Sequence, residues 1–274
     1  MGSGHPPEDA IPMDDAIRTF KVDKLQARVF VDRHALGRAA AGDVAAKLTE
    51  LLSKRPVSVI FAAAQSQNEF LEALIAMPGI DWSRVTAFHM DEFIGLPGTA
   101  PQSFGRWLRD RLFDKVKPGR VHYLDGMAKN VDQECARYAA LLQASPPDIT
   151  CMGIGENGHL AYNDPPGVDF NDPKAVKQIE VALASRQQQV NEGCFSRLED
   201  VPRTAITLTV PALLSAPWIY SMVPGSRKAE AVKRTLEGSV SADCPATILR
   251  RHERAVLYLD RDSSTLADTA IAGR

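Results

Sequence analysis

The chain has 274 residues, of which 45% are apolar and 24% charged. That is ordinary globular composition, long enough for one large α/β core or two small ones. Lys and Arg total 32 against 34 Asp and Glu, a net charge of −2 without a basic block or acidic tail, which argues against nucleic acid and anionic membrane as partners.

The opening "MGSGHPPEDAIPMDD" has no apolar core and is not a signal peptide. Residues 1–26 are expected to be an N-terminal tail and 27–274 a single domain. "RVFVD" (28–32) is expected as a first strand and 34–55 as a long amphipathic helix. "VSVIFAAA" (57–64) is a continuous apolar run, as in a strand covered on both faces. A helix over 67–77 stops at Pro78-Gly79, and "RVTAFHM" (84–90) is another buried strand. Helices are expected over 102–115 and 130–144. Further strands are expected at 148–155, 204–210, 218–223 and 255–260. A helix over 226–238 has Ser226 as its expected cap and Gly238 as its stop. Alternating strands and helices imply an α/β fold: a doubly wound, mostly parallel sheet with helices on both faces. The polar stretch 165–203 lacks strong periodicity and is expected as a lid or excursion.

Four cysteines form no CxxC pair and are expected to behave as small apolar residues. No apolar run is long enough to span a membrane. The expected location is cytoplasmic.

Ligands of such folds sit beyond the carboxyl ends of the strands, and three post-strand loops carry polar chemistry. In "AFHMDEFIGLPG" (87–98), Asp91 and Glu92 are adjacent carboxylates at a strand end. They suit a general base tuned by burial; alternatively Asp91 is a cap and Glu92 is solvated. In "TCMGIGENGHLAYNDPP" (150–166), Gly153, Gly155 and Gly158 allow close backbone approach to a ligand. His159 can shuttle protons near neutral pH, with Asn157 and Asp164 as orienting partners. The other reading is a core histidine beside a structural turn. A dinucleotide site is disfavoured, because these glycines open no helix and lack the later acidic residue. In "PGSRKAEAV" (224–232), a helix start beside Lys228 makes an anion site or merely a solvated helix end.

These loops, in this order, resemble the glucosamine-6-phosphate deaminase (isomerase) family of the glucosamine-6-phosphate deaminase/6-phosphogluconolactonase superfamily. The resemblance rests on "MDEFIGLP" (90–97), "GIGENGHLAYNDP" (153–165), "VPRTAITLTV" (201–210) and "GSRKAEAV" (225–232), with weaker likeness over roughly 27–262. The related 6-phosphogluconolactonases continue GHTASLFP, where this chain has "GHLAYNDP". The resemblance implies a deaminase/isomerase that opens an amino-sugar phosphate, moves a proton from C2 to C1 and releases ammonia. It implies Asp91 as the proton-transfer base, His159 as the ring-opening acid/base, and Asn157 and Asp164 as its supports. Ser66, Glu92, Gly155 and Lys228 are the expected substrate-binding residues. No metal or organic cofactor is implied; the partner is a small sugar phosphate, and homo-oligomers occur in the family.

The chain departs from the pattern in the phosphate loop, normally G-[GS]-[ST]-P, which here reads "FAAAQSQNEF" (61–70) with Ala64, Gln65 and Gln67. A family arginine falls on Gly193, with Arg186 and Arg197 as candidate substitutes. Asp164 replaces the commoner Glu. Alternatives carried forward are a 6-phosphogluconolactonase-like hydrolase and a non-catalytic sugar-phosphate sensor.

Overall fold

A computed structural model describes residues 15–267. Its main sheet has eight strands: β1 (Arg18–Val22), β2 (Leu25–Phe30), β3 (Val57–Phe61), β4 (Val85–His89), β6 (Arg120–His122), β7 (Ile149–Met152), β10 (Trp218–Val223) and β11 (Ala255–Asp260). Their spatial order is β1-β2-β11-β10-β7-β3-β4-β6, and every pairing except β1–β2 is parallel. The expected α/β architecture and sheet are therefore those of the molecule. β3 and β7 are buried along their whole length, because helices cover both faces and leave no side to alternate toward water.

One face is covered by α1 (Arg33–Leu52) and α2 (Asn68–Ala76). It is also covered by α3 (Phe104–Leu108), which runs through a π-turn (Arg109–Phe113) into α4 (Asp114–Val116). Asp32 caps α1 by accepting from the Ala35 amide at 2.8 Å. The helix is rich in small residues and buries Ala39, Ala40 and Ala41, which lets its neighbours approach closely. Its Gly37 lies against the backbone of Glu69 in α2: a Cβ there would sit 2.7 Å from the Glu69 carbonyl carbon. The other face is covered by α5 (Val131–Ala144) and α8 (Ala229–Glu237). The apolar contacts form one cluster on each side of the sheet.

A second, antiparallel sheet, ordered β5-β9-β8, joins β5 (Asp91–Phe93), β8 (Val176–Glu180) and β9 (Thr204–Leu208). It corrects three expectations. Residues 204–208 are a strand, but not of the parallel sheet. The stretch 165–203, expected to lack regular periodicity, holds β8 and α6 (Leu183–Asn191). Asp91 and Glu92 lie in a strand of their own rather than in a loop. The short α7 (Val210–Leu214) follows β9.

Two boundaries also move. Residues 18–22, placed in the expected tail, form β1: Phe20 turns inward and pairs with Ala27 across an antiparallel hairpin. Residues 1–14 of that tail lie outside the described residues. The helix over 226–238 begins with a 3-10 turn (Ser226–Lys228), and Ser226 makes no capping hydrogen bond. Among the described residues no helix is long and apolar enough to cross a membrane.

Candidate active site

β10, β7, β3 and β4 are consecutive neighbours in the sheet. Their carboxyl ends deliver the four polar segments to one place, as open parallel sheets do where the strand order reverses. The pocket there is lined by Ser66 after β3, Asp91 after β4, Gly155 and His159 after β7, and Lys228 after β10. Residues far apart in sequence thus meet because their strands are adjacent.

β4 ends at His89, and the chain steps out of the main sheet at Met90, whose carbonyl accepts from the Leu208 amide at 2.8 Å. This step starts β5 and carries Asp91 into the pocket wall. Burial, and then the neighbouring charge of Glu92, raise the Asp91 carboxyl to about 8. Such a group is largely protonated at neutral pH and ionises within reach of it, as suits proton transfer. Behind it His89 is fully buried, and burial pushes its imidazole down to about 4. Its Nε2 accepts from the Leu124 amide at 2.8 Å, and the Tyr138 hydroxyl pairs with both its backbone N–H and C=O. His89 is therefore a neutral structural residue that secures the strand end.

Glu92 is not a pocket residue. One carboxylate oxygen accepts from the Phe93 and Phe104 amides, the other from the Ser103 hydroxyl and the Gly105 amide, all at 2.7–3.1 Å. The carboxylate fills its acceptor sites on the N-terminus of α3, where the helix dipole favours a negative charge. The expectation that it binds substrate is corrected: it anchors α3 beside Asp91.

After β7, the turn folds the imidazole of His159 back over Gly155. A Cβ at Gly155 would lie 2.1 Å from the ring, so glycine serves ring packing there. His159 Nδ1 is 2.8 Å from Asn157 Oδ1 and 3.2 Å from Asp164 Oδ1. The Asn157 amide nitrogen donates to Asp164 Oδ1 at 2.9 Å, which turns its oxygen toward the ring. Burial raises the Asp164 carboxyl, but hydrogen bonds and charge from His159, with donors on Asn157 and Ser185, outweigh this and hold it low. The next turn places Ala161 in the left-handed region (φ 50°) between Leu160 and Asn163, secured by two hydrogen bonds from the Asn163 side chain. A non-glycine residue there is strained by about 1–2 kcal/mol.

The "FAAAQSQ" loop needs no glycine. Ala64 is extended (φ −153°) and leads into a 3-10 turn at Gln65–Gln67. Ser66 faces the pocket, with Gln67 donating to its hydroxyl at 3.0 Å and to the Met222 carbonyl at 3.3 Å. Lys228 is buried in the pocket wall, its ammonium depressed by burial against the charges of Glu192 and Glu156. Its Nζ is 3.9 Å from Glu192.

Neither candidate arginine replaces the one missing at Gly193. Arg186 donates to the Leu198 carbonyl at 2.6 Å and the Val201 carbonyl at 3.3 Å. Arg197 is an exposed partner of Asp200 and Glu199. Gly193 borders an adjoining cavity with Gln65, Trp107 and Arg111 instead.

Sequence reasoning missed four residues here. Ser185, Gln188 and Gln189 come from α6 in the supposed excursion, and the two glutamines line the pocket. Only polar residues recurring on one face of an otherwise weak helix hint at them. Tyr162 also lines the pocket and is 4% exposed, yet its hydroxyl has no hydrogen-bond partner.

A pocket at the ends of parallel strands, holding a raised carboxyl and a histidine with one nitrogen engaged, defines an acid–base enzyme. A family model described as glucosamine-6-phosphate isomerases/6-phosphogluconolactonase matches residues 31–258, and the chain belongs to this family. It is 38% identical over 193 residues to a glucosamine-6-phosphate deaminase of Bacillus cereus (strain B4264), covering 70% of this chain and 72% of that one. A glucosamine-6-phosphate deaminase of Bacillus thuringiensis (strain Al Hakam) matches to the same extent. Among solved structures, a monomeric glucosamine-6-phosphate deaminase superposes with a TM-score of 0.80 at 28% identity, covering 89% of this chain and 99% of that one. The 6-phosphogluconolactonase of Thermotoga maritima shares the fold, with a TM-score of 0.69 at 21% identity over 86% of this chain and all of the other.

Proposed function

We propose that this protein is a glucosamine-6-phosphate deaminase, converting an amino-sugar phosphate to a ketose phosphate and ammonia. The observation that carries the reading is the convergence of Asp91, His159 and Lys228 on one pocket. Nδ1 of His159 faces acceptors, so the neutral ring is protonated there and Nε2 is the basic nitrogen. Nε2 takes the proton of the anomeric hydroxyl and returns it to the ring oxygen as the C1–O5 bond breaks. The ionised Asp91 then removes the proton from C2, giving an enolamine. Delivery of that proton to C1 gives a ketimine, and water replaces its nitrogen as ammonia. Lys228 and Ser66 hold the far end of the substrate. A lactonase would employ His159 but leave the buried Asp91 carboxyl without a task. We place the enzyme in the cytoplasm.

The test is ammonia release from glucosamine 6-phosphate, coupled to detection of the ketose phosphate. Turnover that falls by about 10²-fold or more in Asp91→Asn is expected. No release by the parent enzyme, or undiminished release by the variant, overturns the reading.

A further inference from the structure

Ser185 lies in the first turn of α6 and is almost fully buried. Its hydroxyl reaches two members of the site at once, Asp164 Oδ1 and, at 2.9 Å, His159 Nδ1. An ionised carboxylate has no hydrogen to give, so the hydroxyl donates to Asp164 and offers a lone pair to the imidazole. The Asn157 amide is engaged in the same sense, donating to Asp164 and turning its oxygen to Nδ1. Nδ1 thus faces acceptors from both residues, and the proton of the neutral ring belongs there.

The position of Ser185 gives this contact a second meaning. The pocket-facing residues of α6 are Gln188, which accepts from the Glu156 amide at 3.0 Å, and Gln189. Glu192, just past the helix, approaches Lys228 at the far end of the pocket. The element that meets the distal part of a substrate therefore also holds the histidine.

We propose that Ser185 is a positioning residue for the acid–base histidine: it holds His159 in the Nδ1–H tautomer and makes that state depend on α6 being docked. Its consequence for turnover rests on the deaminase reading; its geometric content does not. The Asp164 carboxylate is one methylene shorter than the glutamate usual in the resembling motif. The Ser185 hydroxyl adds a bridge between carboxylate and ring beside their direct 3.2 Å approach.

The test pairs a spectroscopic measurement with a kinetic one. Histidine ¹⁵N NMR of the whole chain, with His159 assigned from a His159→Gln variant, reports the tautomer directly. The parent and Ser185→Thr are expected to show the Nδ1–H form, and Ser185→Ala a mixture of tautomers. On glucosamine 6-phosphate, Ser185→Ala is expected to lower kcat about ten- to hundredfold. That is less than full loss of a histidine-orienting group costs, because Asn157 remains. KM stays within about twofold, since Ser185 stands behind the pocket lining. Ser185→Thr keeps the hydroxyl and recovers most of kcat. An unchanged tautomer in Ser185→Ala, or equal losses in the alanine and threonine variants, overturns the proposal. If the parent does not act on glucosamine 6-phosphate, the substrate reading fails while the NMR comparison still decides the role of Ser185. Should the alanine variant not fold, Ser185→Cys carries the same comparison, a thiol being a weak donor.

Discussion

Two buried groups in the pocket make opposite demands at the residue scale. To serve as the proposed base, Asp91 must be ionised, yet burial and Glu92 set its carboxyl at about 8. The sign follows: the ionised fraction grows with pH, so log(kcat/KM) should climb with a slope near one and level off around pH 8. A pH–rate profile that is flat between pH 6 and about 8 would contradict this assignment. Tyr162 has the reverse character. Its unpaired hydroxyl costs the free protein stability, about 1–3 kcal/mol for a buried group left unmade. An active site retains such a group when a ligand satisfies it. Tyr162→Phe should therefore raise the melting temperature while raising KM for the substrate by about two- to tenfold, the worth of one hydrogen bond. Thermal denaturation and steady-state kinetics on the same sample check both signs.

Glu92 links two elements. From the middle of β5 its carboxylate receives the first amides of α3, so strand and helix are fixed to each other beside Asp91. Replacing it with Gln keeps the shape but removes the charge. Two effects are expected. Stability falls by about 1.5–3 kcal/mol, the contribution of a hydrogen bond to a charged acceptor. The alkaline-going rise in kcat/KM shifts to lower pH, because the like charge that helps raise Asp91 is gone. Chemical denaturation and the pH profile measure the two separately; loss of stability with an unmoved profile would leave Glu92 a purely structural anchor.

For the whole molecule, the two faces of the main sheet have separate apolar cores, and only one carries the α1–α2 crossing at Gly37. Adding a methyl group there meets backbone, not a flexible side chain. Gly37→Ala should cost about 1–3 kcal/mol through overpacking. Because the crossing includes neither Asp91 nor His159, kcat should change little. Urea denaturation with parallel kinetics checks this pair of outcomes.

Much of the molecule was legible in its sequence. The apolar run at 57–64 announced a strand covered on both faces, as a helix-flanked parallel sheet provides, and 148–155 was expected as a further strand. The spacing around His159 carried its own partners, since Asn157 and Asp164 lie two residues before it and five after it, across two successive turns. Lys228 followed from a helix start after a strand. The second sheet was not legible: β5 is three residues long, and its existence depends on β9, more than a hundred residues later in the chain. For the same reason the sequence could not assign the two acidic neighbours, of which Asp91 faces the pocket and Glu92 faces α3. Ser185 was hidden because a serine in a weak helix has no pattern until the helix docks. By itself the sequence determined what is local: strand, helix, turn and the residues around one histidine. The tertiary structure decided what is relative: which strands are neighbours, which side of a short strand is buried, and how far that burial moves a carboxyl from its ordinary range.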